Sequence, residues 1–156
     1  MTDVNCAACR IVAGTDRPPG GIVHREEGLA LHALAGPSPL RGWLVLTSEV
    51  HVRAWPDLPA RTLGALGPLA ARVMRAQRES LGAEHVYAFA IGDVVQHFHL
   101  HLVPRYRETP DRLRGRGAFE AVADDMLPSE VLEEASRVVA VAVAAGRADE
   151  GFTRRR

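Results

Sequence analysis

A chain of 156 residues with 47% apolar and 24% charged side chains has room for one domain around one core, and is too apolar to be disordered. Its 19 basic and 19 acidic residues cancel, so no whole-molecule field draws it toward nucleic acid or an acidic membrane surface. No run approaches the ~20 apolar residues of a bilayer span, and Met1–Asn5 lacks the regions of a secretion signal, so no membrane association and a cytoplasmic location are expected.

In chain order, Cys6 and Cys9 come first. In a compartment that keeps thiols reduced, a structural disulfide between them is not expected. Thr15–Gly21 is a turn-rich connection, after which Ile22–Arg25 reads as a strand and Leu29–Leu34 as a second. Gly36-Pro37-Ser38-Pro39 breaks the chain, and Trp43–Thr47 is an apolar, β-prone third strand. From Asp57 to Leu81 the residues Leu63, Leu66, Leu69, Val73, Gln77 and Leu81 fall three or four apart, which is helical spacing. Gly64, Gly67 and Pro68 weaken its first half, leaving two helices or one bent helix, and Gly82 stops it. Two further strands are expected at His85–Ile91 and His97–Val103. Val131, Ala135, Val138, Val139 and Ala142 mark one face of a helix starting near Ser129. Arg154, Arg155 and Arg156 form a short tail expected to be solvated. Strands grouped around one main helix argue for an α+β fold with a mostly antiparallel five-stranded sheet and a C-terminal helix. The whole chain, 1–156, reads as one domain, with a core over about 6–105 and a C-terminal helical extension over about 106–150.

The most informative segment is Gln96-His97-Phe98-His99-Leu100-His101-Leu102-Val103-Pro104-Arg105. Alternate side chains of a strand face opposite ways, so His97, His99 and His101 share one face while Phe98, Leu100 and Leu102 bury the other. Histidines at i and i+2 lie about 6.7 Å apart at Cα and the outer pair about 13 Å. One metal ion could take two of the three but not all, so a division of labour between metal binding and chemistry is the natural reading.

This alternation of histidine and apolar residues, complete from His97 through Val103, resembles the signature of the histidine triad family of nucleotide hydrolases and transferases. Pro104-Arg105 is similar to the family's extension of that motif, Cys6–Gly14 to its N-terminal cysteine segment, Ala30–Leu34 to its nucleoside-binding strand, and Gly42–His51 to the strand and turn ending in its upstream histidine. The resemblance implies that His99 is the nucleophile of a covalent nucleotidyl-histidine and that His101 assists at the phosphate oxygens or the leaving group. It implies a nucleotide-like small-molecule substrate, either a dinucleoside polyphosphate or a nucleoside phosphoramidate. Leu31, His32, Leu34, Gln96 and Arg105 are the implied substrate contacts, and many relatives are homodimers. Cys-x-x-Cys alone leaves zinc, a redox disulfide and chance open. Some branches of the family bind structural Zn2+ through two cysteines and two histidines, which map here onto Cys6, Cys9, His51 and His97.

The chain also departs from the family. Ala33 stands where nucleoside-binding members carry a ribose-contacting aspartate, and Ala90 where they carry an asparagine. Gly92–Gln96 replaces their Gly-Gln-Ser/Thr element and has no hydroxyl. A non-catalytic nucleotide- or partner-binding protein on the same fold is therefore the alternative to the enzyme, and a metalloenzyme activating water is a third reading. An intact His99 and His101 argue for the enzyme, because a pure binder has no need of a nucleophile.

Overall fold

A computed structural model describes residues 3–153, with side chains through residue 146. The terminal arginines 154–156 lie outside the described residues. Five strands, β1 (Ile22–Glu26), β2 (Leu29–Ala33), β3 (Leu44–Ser48), β4 (His85–Phe89) and β5 (His99–Arg105), form one antiparallel sheet in the order β1-β2-β3-β5-β4. Three α-helices accompany it: α1 (Ala7–Ala13), α2 (Ala60–Leu81) and α3 (Ser129–Thr153). The expected α+β architecture is the observed one. None of the helices is long and apolar enough to cross a membrane.

Period-two patterning builds the core. Leu29, Leu31 and Ala33 of β2, Leu44 and Leu46 of β3, and Leu100 and Leu102 of β5 all face Leu66, Leu69, Val73 and Ala76 of α2. A fully buried leucine contributes roughly 1.5–3 kcal/mol, so these rows dominate the fold's stability. Gln77 lies within this apolar stripe without penalty to its amide nitrogen. That nitrogen donates to the carbonyls of Gly42 (2.8 Å) and Leu102 (3.0 Å), tying α2 to the segment entering β3 and to β5. The β1–β2 hairpin turns on Glu27 (φ 51°) and Gly28 (φ 80°), the two successive positive φ values of a type I′ turn.

Several details differ from the sequence reading. α1 was not expected as a helix; it ends at Gly14 (φ 80°), whose N–H closes onto the carbonyls of Arg10 and Ile11. α2 is one helix with Pro68 inside it. Gly64, whose carbonyl loses its partner there, is exposed and can be solvated. Leu63 is 43% exposed and stands off the buried stripe. In α3 the buried face is Leu132, Ala135, Ser136, Val139 and Val143, one position round from the expected one, and Val131 is exposed. This helix is no appendage: Val139 and Val143 belong to the same core as α2. β5 starts at His99 instead of His97, because the His97 N–H turns back to the Val95 carbonyl and Phe98 pairs with Val52. The stretch 106–128 has no α-helix. It crosses the other face of the sheet as short 3-10 turns at Asp111–Leu113, Gly115–Glu120 and Ala123–Asp125.

Candidate active site and metal cluster

Cys6 caps α1 and Cys9 lies three residues on, a spacing that sets both thiols on one side of the first helical turn. His51 follows β3 and His97 precedes β5, and these neighbouring strands bring both rings to that turn. The His97 Nδ1 atom lies 3.5 Å from Cys6 Sγ and 3.4 Å from Cys9 Sγ, and His51 Nδ1 lies 3.2 Å from Cys9 Sγ. All four candidate ligand atoms fall within 4.8 Å of one another. Bond lengths of about 2.3 Å to sulfur and 2.0–2.1 Å to nitrogen give a tetrahedron with sulfur–nitrogen edges of about 3.5 Å, so this donor set fits zinc. The second nitrogen of His97 is also engaged: Nε2–H donates to the Ser48 carbonyl at 2.8 Å, which leaves Nδ1 for the cluster. Burial lowers the pKa of His97, favouring the neutral ring that a metal requires, and burial raises that of the Cys9 thiol.

The next residue of the alternation is held differently. His99 Nδ1–H donates to the carbonyl of His97 at 2.6 Å. A carbonyl only accepts, so in the neutral ring the proton is on Nδ1 and the lone pair is on Nε2. His101 has the opposite tautomer. Its Nδ1 accepts the Trp43 indole N–H at 3.2 Å, so in the neutral ring Nε2 carries the proton. Burial, with His99 and His32 adding repulsion, pushes the pKa of His101 down to about 4. The two rings meet edge to face with centroids 4.9 Å apart. An unprotonated nucleophilic nitrogen therefore sits beside a neutral N–H donor.

Two concavities open on this pair, and His99, His101, Leu34 and Val95 line both. The first, about 360 Å³, lies against α1 and is lined by Ala7, Ala8, Ile11, His32, Val45 and Thr47. On its floor His32 donates through Nδ1–H to the Ala33 carbonyl (2.7 Å) and accepts the Thr47 hydroxyl at Nε2 (2.9 Å). Burial lowers the pKa of His32. The second, about 450 Å³, lies toward the C-terminal stretch and is lined by Trp43, Ile91, Asp93, Val94, Phe119 and Met126 among others.

The residues anticipated from sequence divide accordingly. Cys6, Cys9, His51 and His97 converge on one cluster. His99, His101, His32 and Leu34 converge on the concavities. Leu31 does not: strand alternation turns it into the core beneath α2, where it is fully buried. Ala33 faces that core too, so an acidic side chain there would enter the apolar layer and not the concavity. Gln96 is exposed beside the cysteine cluster and lines neither concavity. Arg105 lies six residues along β5 from His99, about 20 Å at strand rise, and pairs with Glu84 at 3.5 Å. Trp43, Thr47 and Phe119 are site residues that sequence reasoning passed over. The period-two continuation from Val45 back to Trp43 and on to Thr47 could have exposed the first two. A single phenylalanine in an irregular segment carries no such signal.

A HIT domain family profile matches residues 24–108. Among solved structures, the chain is similar to a zinc-bound histidine triad family protein from Mycobacterium smegmatis, with 26% identity, 93% of this chain and 97% of that one covered, and a TM-score of 0.68. A hypothetical histidine triad nucleotide-binding protein from Sulfolobus tokodaii shares the fold at 16% identity, covering 90% and 93%, with a TM-score of 0.67. A Hit-like protein from Bartonella henselae, described as involved in cell-cycle regulation and solved with an unknown ligand, does so at 17% identity, 90% and 97% coverage and a TM-score of 0.68. No curated protein matches the chain.

Proposed function

The chain belongs to the histidine triad (HIT) family, and from that premise we propose that it is a hydrolase or nucleotidyl transferase that cleaves a nucleotide-like phosphate bond through a covalent intermediate on His99. The observation that carries this reading is the pair of opposed tautomers. With Nδ1–H held by the His97 carbonyl, the neutral ring of His99 presents its Nε2 lone pair for attack on phosphorus. With Nδ1 committed to Trp43, the Nε2–H of His101 can stabilise a phosphoryl oxygen as charge develops. Because burial pushes the pKa of His101 down to about 4, it does this as a neutral donor. The concavity against α1 takes the retained nucleoside half. It has apolar walls, and among the described residues no carboxylate lines it. Ribo- and 2′-deoxyribonucleotide substrates are therefore expected to react with similar efficiency, and a thousandfold preference for ribose would show another residue reading the sugar.

Zinc held by Cys6, Cys9, His51 and His97 is the second part of the proposal, supported by the donor set and the zinc-bound Mycobacterium smegmatis relative. Bound there, the ion would supply a closed structural cross-link between α1, the chain after β3 and the start of β5. His97 then serves twice, its ring toward the metal and its carbonyl toward the nucleophile. Metal analysis should give about one zinc per chain, and Cys9→Ala should lose both metal and thermal stability. Stoichiometric zinc retained in that variant would remove the assignment. The central test is mass spectrometry of protein quenched with a panel of nucleotide conjugates. A phosphorus-linked adduct on His99 is expected. If wild-type protein binds nucleotides without forming an adduct or cleaving any of them, the non-catalytic binding protein is the better description.

A further inference from the structure

The cysteine cluster has an inner and an outer side. Cys9 and His97 are buried, whereas Cys6 and His51 are half-buried. Cys6 and His51 line an open concavity of about 420 Å³, with Asn5, Arg53 and Gln96 on its wall, and neither Cys9 nor His97 lines it. Of the two thiols, Cys6 is the one a solute meets first. We propose that Cys6 is an oxidation site for hydroperoxides, that Cys9 resolves it as a disulfide, and that this bond releases the metal and loosens α1 over the nucleoside concavity. The inference rests on the zinc reading above.

Three observations carry it. The first is proximity. The two sulfurs lie 3.5 and 3.4 Å from the same atom, His97 Nδ1, and within 4.8 Å of one another. Cysteines at this spacing close a disulfide ring readily, and Cys6 has the extended backbone of an N-cap (φ −87°, ψ 118°), outside the regular helix. The second is that the pairing has no competitor, because the chain contains only these two cysteines and both are free thiols. The third is what the cluster holds in place. α1 supplies Ala7, Ala8 and Ile11 to the nucleoside concavity. Its C-terminal end has its own anchors, since Arg25 Nη2–H donates to the Val12 carbonyl at 2.7 Å and Arg10 pairs with Asp16 at 2.9 Å. Its N-terminal end meets His51 and His97 through the cluster. Loss of both sulfur ligands therefore frees the end that bears Ala7 and Ala8 while the other end stays held, and α1 swings instead of detaching.

In the reaction, the Cys6 thiolate attacks one peroxide oxygen. A sulfur–oxygen bond forms, the oxygen–oxygen bond breaks, and the departing hydroxide takes up a proton to become water. The Cys9 thiolate then attacks the Cys6 sulfur, forming the sulfur–sulfur bond and expelling a second hydroxide, which is protonated in turn. Two thiolates have lost two electrons, the peroxide has gained them, and zinc departs as the divalent ion. Where thiols are kept reduced such a bond is transient, and its reduction returns both ligands.

The test starts from full-length protein whose bound zinc has been quantified. Hydrogen peroxide is added with a chromogenic zinc chelator too weak to strip the untreated protein. Zinc release should keep pace with disulfide formation, seen by mass spectrometry as loss of two hydrogens from the peptide bearing Cys6 and Cys9, and dithiothreitol with added zinc should reverse both. Affinity for adenosine monophosphate, read by calorimetry, should fall about tenfold on oxidation, as expected if α1 is then docked roughly a tenth of the time. Cys6→Asp keeps a capping and metal-ligating side chain but cannot form the disulfide, so its zinc and its affinity should resist peroxide. Should that variant not hold zinc, alkylation of the wild-type protein decides instead: Cys6 should react before Cys9, and peroxide should protect both. Zinc released from a loaded Cys6→Asp as fast as from wild type, or wild-type thiols left intact by peroxide that fully oxidises glutathione, overturns the oxidation site and leaves the zinc reading standing. Disulfide formation with unchanged nucleotide affinity overturns the coupling through α1. Protein that takes up no zinc overturns the zinc reading itself, before any oxidant is added.

Discussion

The two faces of the sheet follow different rules. The face under α2 and α3 is closed by two long helices and filled by leucine, valine and alanine, with the Gln77 amide nitrogen satisfied through two carbonyls. The opposite face carries His32, Thr47, His99 and His101 and, among the described residues, is roofed by α1, loops and short 3-10 turns. Because β5 alternates strictly, one strand supplies both: Leu100 and Leu102 to the closed face, His99 and His101 to the open one. The packed core and the candidate site are thereby segregated to opposite sides of the same backbone, and substitutions on adjacent residues should report on different quantities.

The sharpest test of that segregation sets His99→Ala beside Leu102→Ala. On the proposed mechanism, removing His99 should lower turnover by roughly a thousandfold or more, while the melting temperature and zinc content stay near wild type. Leu102 is fully buried, and its truncation should cost about 2–5 kcal/mol through lost burial and the cavity left behind. The surviving folded Leu102→Ala protein should retain most of its kcat. Chemical denaturation and single-turnover kinetics on both variants decide the matter. A Leu102 variant as inactive as His99→Ala, while still folded, would break the separation of the two faces.

Which parts were legible beforehand follows the same division. Period-two alternation over 97–103 and helical spacing over 63–81 are long enough to state their own geometry, so β5, α2 and the common face of His99 and His101 could be read directly. The cysteines and His51 were assignable through family resemblance, because nothing local links position 6 to position 97. The misplacements have local causes. Leu31 is apolar in an all-buried strand, and β2 reads the same whichever face each residue takes, since all five of its residues are buried. α1, at seven residues, is too short for a period to register. The roof over 106–128 has no period at all, being held by Arg112–Asp125, the Leu127–Ser38 bond and the buried Ala118, contacts between residues distant in sequence or irregular in backbone.

A pH measurement sharpens the comparison further, since the open face is the one carrying buried imidazoles. The folded-state pKa of His101, about 4, lies below the ordinary value of 6.5. Between those values the unfolded chain binds a proton that the folded chain refuses. Its contribution to stability is therefore complete above pH 6.5 and is lost as pH falls toward 4, reaching about 3 kcal/mol in all. His101→Gln should flatten the dependence of unfolding free energy on pH over that window relative to wild type, with His32 and His97 common to both proteins. Parallel curves for the two proteins would show that His101 is not held neutral by burial.

The smallest expected effect lies where Trp43 orients His101. Trp43→Phe keeps an aromatic ring against Phe119 but removes the indole N–H donor that fixes the unprotonated nitrogen of His101 at Nδ1. The ring is then free to exchange tautomers, and the fraction presenting Nε2–H to the phosphate falls. A neutral hydrogen bond of this kind is worth about 1 kcal/mol, so kcat/KM should drop by roughly five- to tenfold and stability by a similar free energy. Fold and adduct formation on His99 should persist, because the His99 Nδ1–H bond to the His97 carbonyl is untouched. Nitrogen-15 chemical shifts of the His101 ring provide the direct readout. In wild type they should report protonated Nε2 and unprotonated Nδ1, and in the variant a mixture of the two tautomers. If the variant keeps the wild-type shifts while its rate falls, the loss comes from packing around Trp43 and Phe119 and not from His101, and the tautomer argument fails at this residue.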